Sequence, residues 1–157
     1  MKPKPMIIAA LLAAALTAAP ALAQEAWTAH SPAIQAVDAS VRAPLEAYLR
    51  GHATGSADEF RPAFHPEAQL WGMRNGSLIR MTAGEYIGRA SGSPAADEAQ
   101  RRRWIESIDV TGDTAVAKII LDYPAVRFTD YMALSRIDGR WVIINKMFQA
   151  EPKAPAA

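Results

Sequence analysis

The chain has 157 residues, a formal net charge of +1 at pH 7 and no cysteine, and its length is that of one domain. Without cysteine the chain has no disulfide, no thiolate metal site and no lipid anchor on a cysteine. The near balance of 17 basic and 16 acidic residues gives no overall attraction to nucleic acid or to an anionic membrane.

The first 23 residues have the pattern of a secretory signal peptide. Lys2 and Lys4 precede an apolar stretch over residues 6–19, and Ala21-Leu22-Ala23 supplies a small-x-small cleavage site before Gln24. The apolar stretch is shorter than the roughly 20 residues that a membrane-spanning helix requires. We therefore expect the mature protein to be periplasmic or secreted, with no membrane attachment after cleavage.

Composition divides the rest of the chain into three parts. Residues 24–33 are polar and irregular, which predicts a flexible leader, and residues 151–157 are rich in Pro and Ala, which predicts a disordered tail. Residues 34–150 remain as the folded domain. A domain of this size can bury one core and gains stability readily by dimerising.

Apolar residues at helical spacing predict the first helix. Val41, Leu45 and Tyr48 recur on one face. A proline is tolerated in the first turn of a helix. We therefore expect Ser40 to cap the helix, so that Pro44 falls in that first turn.

Two capping boxes predict two further helices. Ser56 and Glu59 have the spacing of a capping box and precede a short helix that would bury Phe60. Thr82 and Glu85 repeat the pattern and predict the start of a third helix.

Turn residues between apolar runs predict antiparallel strands. Asn75-Gly76 and Asp138-Gly139 are typical of two-residue hairpin turns. The first lies in a hairpin over residues 70–79, and four strands follow at about 103–111, 114–123, 128–137 and 140–149. Helices grouped early and antiparallel strands grouped late predict an α+β fold.

The last strand is apolar on both faces. Trp141 and Ile143 alternate with Val142 and Ile144. A strand that is apolar on both faces has to be covered on both. We expect helices on one side and a second subunit on the other.

The order of four motifs resembles the nuclear transport factor 2-like superfamily over residues 34–149. The motifs are residues 48–55 (YLRGHATG), 63–68 (AFHPEA), 130–131 (DY) and 138–146 (DGRWVIINK). They are most similar to the branch named "Putative lumazine-binding". The resemblance implies a cone-shaped, strongly curved antiparallel sheet of about six strands, wrapped around three N-terminal helices and enclosing a pocket.

The resemblance also implies a homodimer through the outer sheet face, here through Val142 and Ile144. It leaves the activity open, because the superfamily includes ketosteroid isomerases, epoxide hydrolases, dehydratases, polyketide cyclases and pure binding modules. No complete catalytic set of those enzymes is present in this sequence.

The Asp138-Gly139 turn determines which residues of the last two strands face the pocket. Counting outward from a two-residue turn pairs residues 134, 132 and 130 with residues 143, 145 and 147. This register directs four side chains into the pocket, namely Asp130, Met132, Asn145 and Met147. A bulge after the turn would instead move the first two to the other face.

Three residues are candidates for acid–base chemistry. Asp130 can act as a general base inside an apolar pocket, or it can be a solvated residue near a strand end. His65 is a candidate because histidine is the residue type best suited to proton transfer near neutral pH, or it bonds the last carbonyls of the short helix. Tyr48 can donate a hydrogen bond to a developing oxyanion. His52 and His65 lack the carboxylates expected of a metal site, so we predict no metal and no cofactor.

The candidate ligand-binding residues are Trp71, Asn145, Met147, Met132, Phe60 and Tyr86. The aromatic members suit the walls of a pocket for a partly apolar molecule. The first hypothesis is a small-molecule-binding module. The alternatives are a cofactor-independent isomerase, dehydratase or hydrolase that acts on a small cyclic substrate, and a structural module with a filled cavity.

Overall fold

The structure, a computed structural model, describes residues 32–154. The predicted signal peptide and most of the predicted leader lie outside the described residues. The helices are α1 (Pro32–Gln35), α2 (Ala39–Thr54), α3 (Ala57–Phe60) and α4 (Ala83–Ile87), and a single 3₁₀ turn spans Glu98–Gln100. The strands are β1 (Phe64–Arg74), β2 (Ser77–Thr82), β3 (Arg102–Thr111), β4 (Thr114–Asp122), β5 (Val126–Ile137) and β6 (Arg140–Pro152).

The six strands form one curved, unclosed sheet in the order β2-β1-β6-β5-β4-β3. Every neighbouring pair is antiparallel except β1 and β6, which run parallel. The parallel pair joins the early hairpin to the late meander. The predicted α+β fold with a curved sheet and helices packed on it is confirmed.

Helix α2 supplies the centre of the core on the inner face of the sheet. Its side chains Val41, Leu45 and Leu49 are buried in one cluster with Leu134 of β5 and Ile143 of β6. Each such buried side chain contributes roughly 1.5–3 kcal/mol to the free energy of unfolding. Within residues 32–154, no helix has the length and hydropathy needed to cross a membrane.

Both predicted two-residue hairpin turns are confirmed. Asn75 and Gly76 have φ angles of 50° and 74°, and Asp138 and Gly139 have φ angles of 50° and 77°. A type I′ turn requires a positive φ at both central residues, which explains the Asn-Gly and Asp-Gly pairs.

The predicted start of α2 is wrong by two residues. Asp38 is the N-cap, and its Oδ1 accepts a hydrogen bond of 2.7 Å from the backbone N–H of Ser40. Pro44 therefore lies inside the helix rather than in its first turn. The proline lacks the N–H that would bond the Ser40 carbonyl, and because Ser40 is exposed solvent can satisfy that carbonyl.

Only the second predicted capping box forms. The Glu85 amide donates to Thr82 Oγ1 at 3.2 Å, and the Thr82 amide donates to Glu85 Oε2 at 2.7 Å. Ser56 precedes α3 but makes no side-chain capping bond. Glu59 instead accepts from Arg50 Nε at 2.9 Å, so its carboxylate is engaged by α2.

A β-bulge in β6 changes the predicted register. Leu134 pairs with Ile143 as predicted, but Ala133 then pairs with Asn145, which leaves Ile144 as the extra residue of the bulge. Beyond a one-residue bulge, every later side chain of that strand moves to the opposite face.

The bulge reverses the face of the sheet to which residues 145–148 of β6 point. Lys146 is 3% exposed and faces inward, whereas Met147 is 57% exposed and faces outward. The predictions that Asn145 and Met147 face the pocket are therefore wrong. Asp130 and Met132 lie on β5, which has no bulge, and both are buried.

Candidate functional site

A cavity of about 350 Å³ lies between the C-terminal end of α2, helix α4 and the inner face of the sheet. Its walls are aromatic, and they include Phe60, Tyr86, Phe128 and Phe148. Phe60 and Tyr86 were predicted from the sequence as ligand-binding residues, and the structure brings both to this cavity.

Two glycines allow aromatic rings to lie directly against the backbone. A Cβ at Gly72 would be 2.3 Å from the ring of Phe148, its neighbour across β1 and β6. A Cβ at Gly51 would be 2.6 Å from the ring of Phe60. Any side chain at either position would push an aromatic ring towards the cavity.

Lys146, Tyr48 and Asp130 form a polar cluster beside the cavity. Lys146 Nζ donates to the Tyr48 hydroxyl at 2.6 Å and lies 3.0 Å from Asp130 Oδ2. The Tyr48 hydroxyl in turn donates to the same Oδ2 at 2.6 Å. Lys146 lines the cavity, while Tyr48 and Asp130 are fully buried behind it.

Asp130 has an unused hydrogen-bond acceptor. Its Oδ1 is buried and has no hydrogen-bond partner among the described residues. A buried carboxylate oxygen without a donor costs free energy. This atom is therefore available to accept a proton or a hydrogen bond.

Aromatic rings surround the Lys146 ammonium. Its Nζ is 4.9 Å from the ring centroid of Tyr48 and 5.1 Å from those of Tyr86 and Phe148. Burial lowers the pKa of Lys146, although the adjacent Asp130 carboxylate opposes that decrease. The rings favour the cation through their negative faces.

A hydrogen-bonded chain connects this cluster to His52 at the end of α2. The Tyr86 hydroxyl is 3.3 Å from the Tyr48 hydroxyl and 2.7 Å from His52 Nε2. On the other side of the ring, His52 Nδ1 is 3.2 Å from the Tyr123 hydroxyl. Arg103 Nε donates to that hydroxyl at 3.1 Å.

The donors and acceptors of this chain are consistent with one tautomer of His52. Because the Tyr123 hydroxyl accepts from Arg103, its own proton can go to His52 Nδ1. Nε2 then carries the ring proton and donates it to Tyr86, which donates to Tyr48. Every link in the chain has one donor and one acceptor.

Arg103 anchors the outer end of the chain. The residue is 2% exposed, its guanidinium makes two bonds to the Glu98 carboxylate at 2.5 and 2.7 Å, and it also donates to the His52 carbonyl at 3.3 Å. A two-bond arginine–carboxylate contact holds both partners in a defined geometry. The 3₁₀ turn is thereby fixed to the C-terminal end of α2.

The electrostatic surroundings keep the chain neutral near pH 7. Burial, followed by the positive charges of Lys146 and Arg103, lowers the pKa of His52 well below its usual value. Burial and the Asp130 carboxylate raise the pKa values of Tyr48 and Tyr86 well above that of free tyrosine. We therefore treat the imidazole as uncharged and both phenols as protonated.

The basic side chains of the cavity have no acidic counterpart in its lining. Arg74 and Arg89 line the cavity together with Lys146, and no Asp or Glu among residues 32–154 does. The Arg74 guanidinium lies over the ring of Phe128 at 5.3 Å, which directs it along the aromatic wall. An anionic ligand suits this lining.

The other predicted site residues lie elsewhere. His65 is on β1, where its Nδ1 accepts from the Glu67 amide at 3.2 Å, and it does not line the cavity. His65 therefore makes a local contact, as in the alternative in which it has a structural role. Its partner is the Glu67 amide and not a carbonyl at the end of α3. Met132 is buried in the core and does not line the cavity.

Trp71 also does not line the cavity. It stacks with the Arg80 guanidinium at 5.0 Å and pairs across the sheet with Met147, an exposed outer-face residue. The prediction that Trp71 forms a pocket wall is wrong, because the inner face of β1 at this point is formed by Leu70 and Gly72, which are both buried.

Three residues of the site were missed from the sequence. The even register that would turn Asn145 and Met147 inward would turn Lys146 outward, and no pattern in the sequence indicates a role for Arg103. His52 was considered only as a metal ligand together with His65. Its position four residues after Tyr48 places it on the same helix face, so helical spacing could have identified it.

Residues 32–154 contain no group of three or more His, Asp or Glu side chains arranged to bind a metal ion. His52, Asp130 and Glu98 are each engaged by tyrosine, lysine or arginine partners.

Residues 36–149 match the protein family described as "Putative lumazine-binding". The chain belongs to this family. The match covers nearly all of the described residues, since it begins directly after α1 and ends within β6. The description of the family suggests a small-molecule ligand.

Comparison with individual proteins gives distant relatives. The chain is 24% identical to the aldolase FrzH of Cladobotryum sp. over 116 residues, which cover 73% of this chain and 91% of that protein. An NTF2-like protein of unknown function from Shewanella baltica has a TM-score of 0.65 at 24% identity, over 73% of this chain and 93% of the other.

A second NTF2-like protein of unknown function, from Methylobacillus flagellatus, has a TM-score of 0.62 at 26% identity. The alignment covers 71% of this chain and 90% of that protein. These similarities establish a nuclear transport factor 2-like fold.

Proposed function

We propose that this protein is an exported binding protein for a small, partly apolar anion, held in the cavity beside Lys146. The observation that carries the proposal is the lining of the cavity, in which aromatic walls are combined with Lys146, Arg74 and Arg89. Pockets for small ligands are usually apolar with a few convergent polar groups. The family description, "Putative lumazine-binding", supports a cyclic ligand.

The buried polar cluster supports a functional role for this cavity. Burying a lysine and an aspartate together is costly, and replacing such a pair with apolar residues is often neutral or stabilising. Perturbed ionisable groups beside a cavity are typical of functional sites. Lys146 meets this description, since it is buried, lines the cavity and has a lowered pKa.

A thermal-shift screen of small aromatic carboxylic acids tests the anion-binding proposal. We expect a subset of the acids to raise the melting temperature of the wild type. The substitution Arg74→Gln should reduce that increase, whereas Arg140→Gln at the exposed hairpin turn should leave it unchanged. The proposed ligand class would be contradicted if no acid raised the melting temperature of the wild type. It would also be contradicted if the acids raised the melting temperature of Arg74→Gln as much as that of the wild type.

We also propose that the mature protein begins at Gln24 and is exported. The signal-peptide pattern of the first 23 residues supports this proposal. N-terminal sequencing of the protein recovered from the periplasm or the medium tests it. Recovery of the intact N-terminus in the cytoplasm would contradict it.

The proposed oligomer is a homodimer through the outer face of the sheet. Trp71, Met147 and Tyr131 are successive cross-strand neighbours on β1, β6 and β5, and the last two are 57% and 51% exposed. Of the two residues predicted for this interface, Ile144 is 37% exposed, but Val142 is already buried within one chain. The exposed row supports a broader contact than those two residues alone.

A second candidate function is cofactor-independent acid–base catalysis on a small carbonyl compound. Two basic groups whose pKa values are lowered, His52 and Lys146, line the cavity, and the phenol of Tyr86 lies beside them. A neutral amine or imidazole can take a proton from carbon while a phenol donates to the developing enolate oxygen. The relationship to a protein described as an aldolase agrees with enolate chemistry.

Deuterium exchange detects such catalysis without knowledge of the natural substrate. We expect the wild type to accelerate exchange of the protons next to the carbonyl group in a panel of cyclic ketones and oxo acids in D₂O, followed by proton NMR. Lys146→Met should abolish the acceleration. Equal exchange rates with and without the wild-type protein would leave only the binding function.

A further inference from the structure

We propose that Lys146 binds an aldehyde or ketone covalently as an imine, which makes the ligand of the cavity a carbonyl compound. This inference rests on the proposed binding function and deepens it. The position of Lys146 supports the imine, because this residue lines the cavity while its ammonium group is buried.

The partners of Nζ are suited to removing and returning protons. Asp130 Oδ2 lies 3.0 Å from Nζ, and the Tyr48 hydroxyl lies 2.6 Å from it. The carboxylate can take one proton from the ammonium and release a free amine. The lowered pKa of Lys146 makes this transfer easier than for an exposed lysine.

The reaction has two steps and needs no further reagent. The amine nitrogen attacks the carbonyl carbon, a C–N bond forms, and the carbonyl oxygen takes a proton from Tyr48 to give a carbinolamine. The nitrogen of this adduct gives one proton to Asp130, and a proton returns through Tyr48 to the hydroxyl group. Water leaves as the C–O bond breaks, and the nitrogen lone pair forms the C=N bond. One amine and one carbonyl group give one imine and one water.

The surroundings also suit the product. A protonated imine at Nζ retains the positive charge of Lys146, so the ion contact with Asp130 is preserved. The three aromatic rings about 5 Å from Nζ continue to stabilise the cation. Arginine could also supply a positive charge to an ion pair, but it cannot form an imine.

The hydroxyl chain can restore the proton that Tyr48 donates. Tyr86 donates to Tyr48, and His52 lies 2.7 Å beyond Tyr86. A proton lost from Tyr48 to the carbonyl oxygen can thus be replaced from Asp130 or along the chain. Tyr48 is therefore a group whose removal should slow imine formation without removing the amine.

Glyoxylate with sodium cyanoborohydride provides a direct test on the full chain. Glyoxylate is a very small aldehyde that carries a carboxylate, and the hydride reduces an imine to a stable carboxymethyl-lysine. Peptide mapping then compares Lys146 with two more exposed lysines of the same protein, Lys118 and Lys153. We expect Lys146 to react severalfold faster than either of them at pH 7, because burial lowers its pKa and so raises the fraction of free amine.

Substitution of Tyr48 separates imine chemistry from simple exposure of the lysine. Tyr48→Phe retains the ring and should slow labelling of Lys146 severalfold, while the labelling of Lys118 stays unchanged. Labelling of Lys118 and Lys153 with no label on Lys146 in the wild type would overturn the proposal. That outcome requires no variant and does not depend on whether a substituted protein folds.

The non-reactive analogue glycolate distinguishes failure of the imine from failure of ligand binding. If carboxylic acids such as glycolate stabilise the protein while Lys146 stays unlabelled, the imine proposal fails and the binding function stands. If Lys146 is labelled and the acids do not bind, the imine stands and the proposed preference for anions fails. Absence of both labelling and binding overturns both proposals.

Discussion

Lys146 of β6 and Asp130 of β5 form a buried ion pair beside the cavity, with 3.0 Å between Nζ and Oδ2. The two residues are not direct cross-strand partners, because Asp130 pairs with Phe148 and Lys146 pairs with Met132. Lys146 joins Asp130 on the inner face only because a bulge at Ile144 shifts the register of β6. The candidate site thus depends on one irregularity in the sheet.

Removal of one partner should destabilise the protein far more than removal of both. Asp130→Leu leaves a buried ammonium without its counter-ion, and we expect a loss of about 3–5 kcal/mol in the free energy of unfolding. The double substitution Asp130→Leu and Lys146→Met removes both charges and should cost less than the sum of its single substitutions, by about 2 kcal/mol. Urea denaturation of the four proteins measures this difference.

The exposed ion pair of Asp113 and Arg136 is the control for this cycle. Asp113→Asn should change the free energy of unfolding by less than about 1 kcal/mol, because both partners are solvated. Additive effects at Asp130 and Lys146 would show that the two side chains do not interact in the folded protein.

His52 should make the folded state sensitive to mild acid. Its pKa in the folded protein lies well below the value of 6.5 for a free imidazole, so between these two values the unfolded chain binds more protons than the folded one. The free energy of unfolding therefore rises with pH in that interval and falls as the solution is acidified below about pH 6.5. The slope is at most about 1.4 kcal/mol per pH unit for one histidine.

His52→Gln should remove this slope, while His65→Gln should leave it in place, because His65 lies on β1 outside the cavity. Urea midpoints measured across the interval between about pH 5 and pH 7.5 give both slopes. An identical pH dependence in His52→Gln and the wild type would contradict the assigned environment of the imidazole.

The outer face of the sheet should control the oligomeric state. Tyr131→Arg places a charge in the middle of the exposed row that we propose as the dimer contact, and like charges would then meet across the interface. We expect sedimentation velocity to show a dimer for the wild type and a monomer for the variant. Val110→Glu, at an exposed residue of β3 whose cross-strand partner Ala115 lies in the core, should remain dimeric.

A monomeric wild type, or a dimeric Tyr131→Arg variant with unchanged affinity, would rule out this face as the interface. Far-ultraviolet circular dichroism should be the same for all three proteins, since the substituted side chains are exposed.

The cavity should be sensitive to a single methyl group at Gly72. The Cβ of Gly72→Ala would lie 2.3 Å from the ring of Phe148, so the ring has to move towards the cavity. We expect a loss of about 1–3 kcal/mol in the free energy of unfolding and at least tenfold weaker binding of any acid that stabilises the wild type. Gly84→Ala in α4, whose Cβ would have no heavy atom closer than 4.0 Å, is the matched control.

Gly84→Ala should be neutral or slightly stabilising, because alanine favours a helix over glycine by up to about 1 kcal/mol. Equal ligand affinity in the two variants would indicate that Phe148 does not shape the cavity.

Local signals in the sequence predicted most of the fold. Asn75-Gly76 and Asp138-Gly139 adopt the positive φ angles that their turns require, and Thr82 with Glu85 forms its capping box. The helical spacing that placed Tyr48 in the core, and the strand pattern that turned Asp130 inward, were enough to bring these two residues together.

The rest of the site depends on non-local packing. No pattern in residues 140–149 distinguishes a regular strand from one with a bulge at Ile144, since both faces of the strand are apolar. The bulge exchanges Asn145 and Met147 for Lys146 and Phe148 at the inner face. A prediction that assumes an even register therefore selects the wrong residues of β6 after the bulge.

The most direct test of the account is native mass spectrometry of the protein isolated gently from the compartment to which it is exported, beside a variant with a blocked cavity. Ala90 lines the cavity, and Ala90→Trp fills part of its volume of about 350 Å³. We predict that the wild type carries a bound small molecule, identifiable after release as an acid or a carbonyl compound, and that Ala90→Trp carries none. An empty wild type, or the same bound mass on both proteins, would contradict a ligand site beside Lys146.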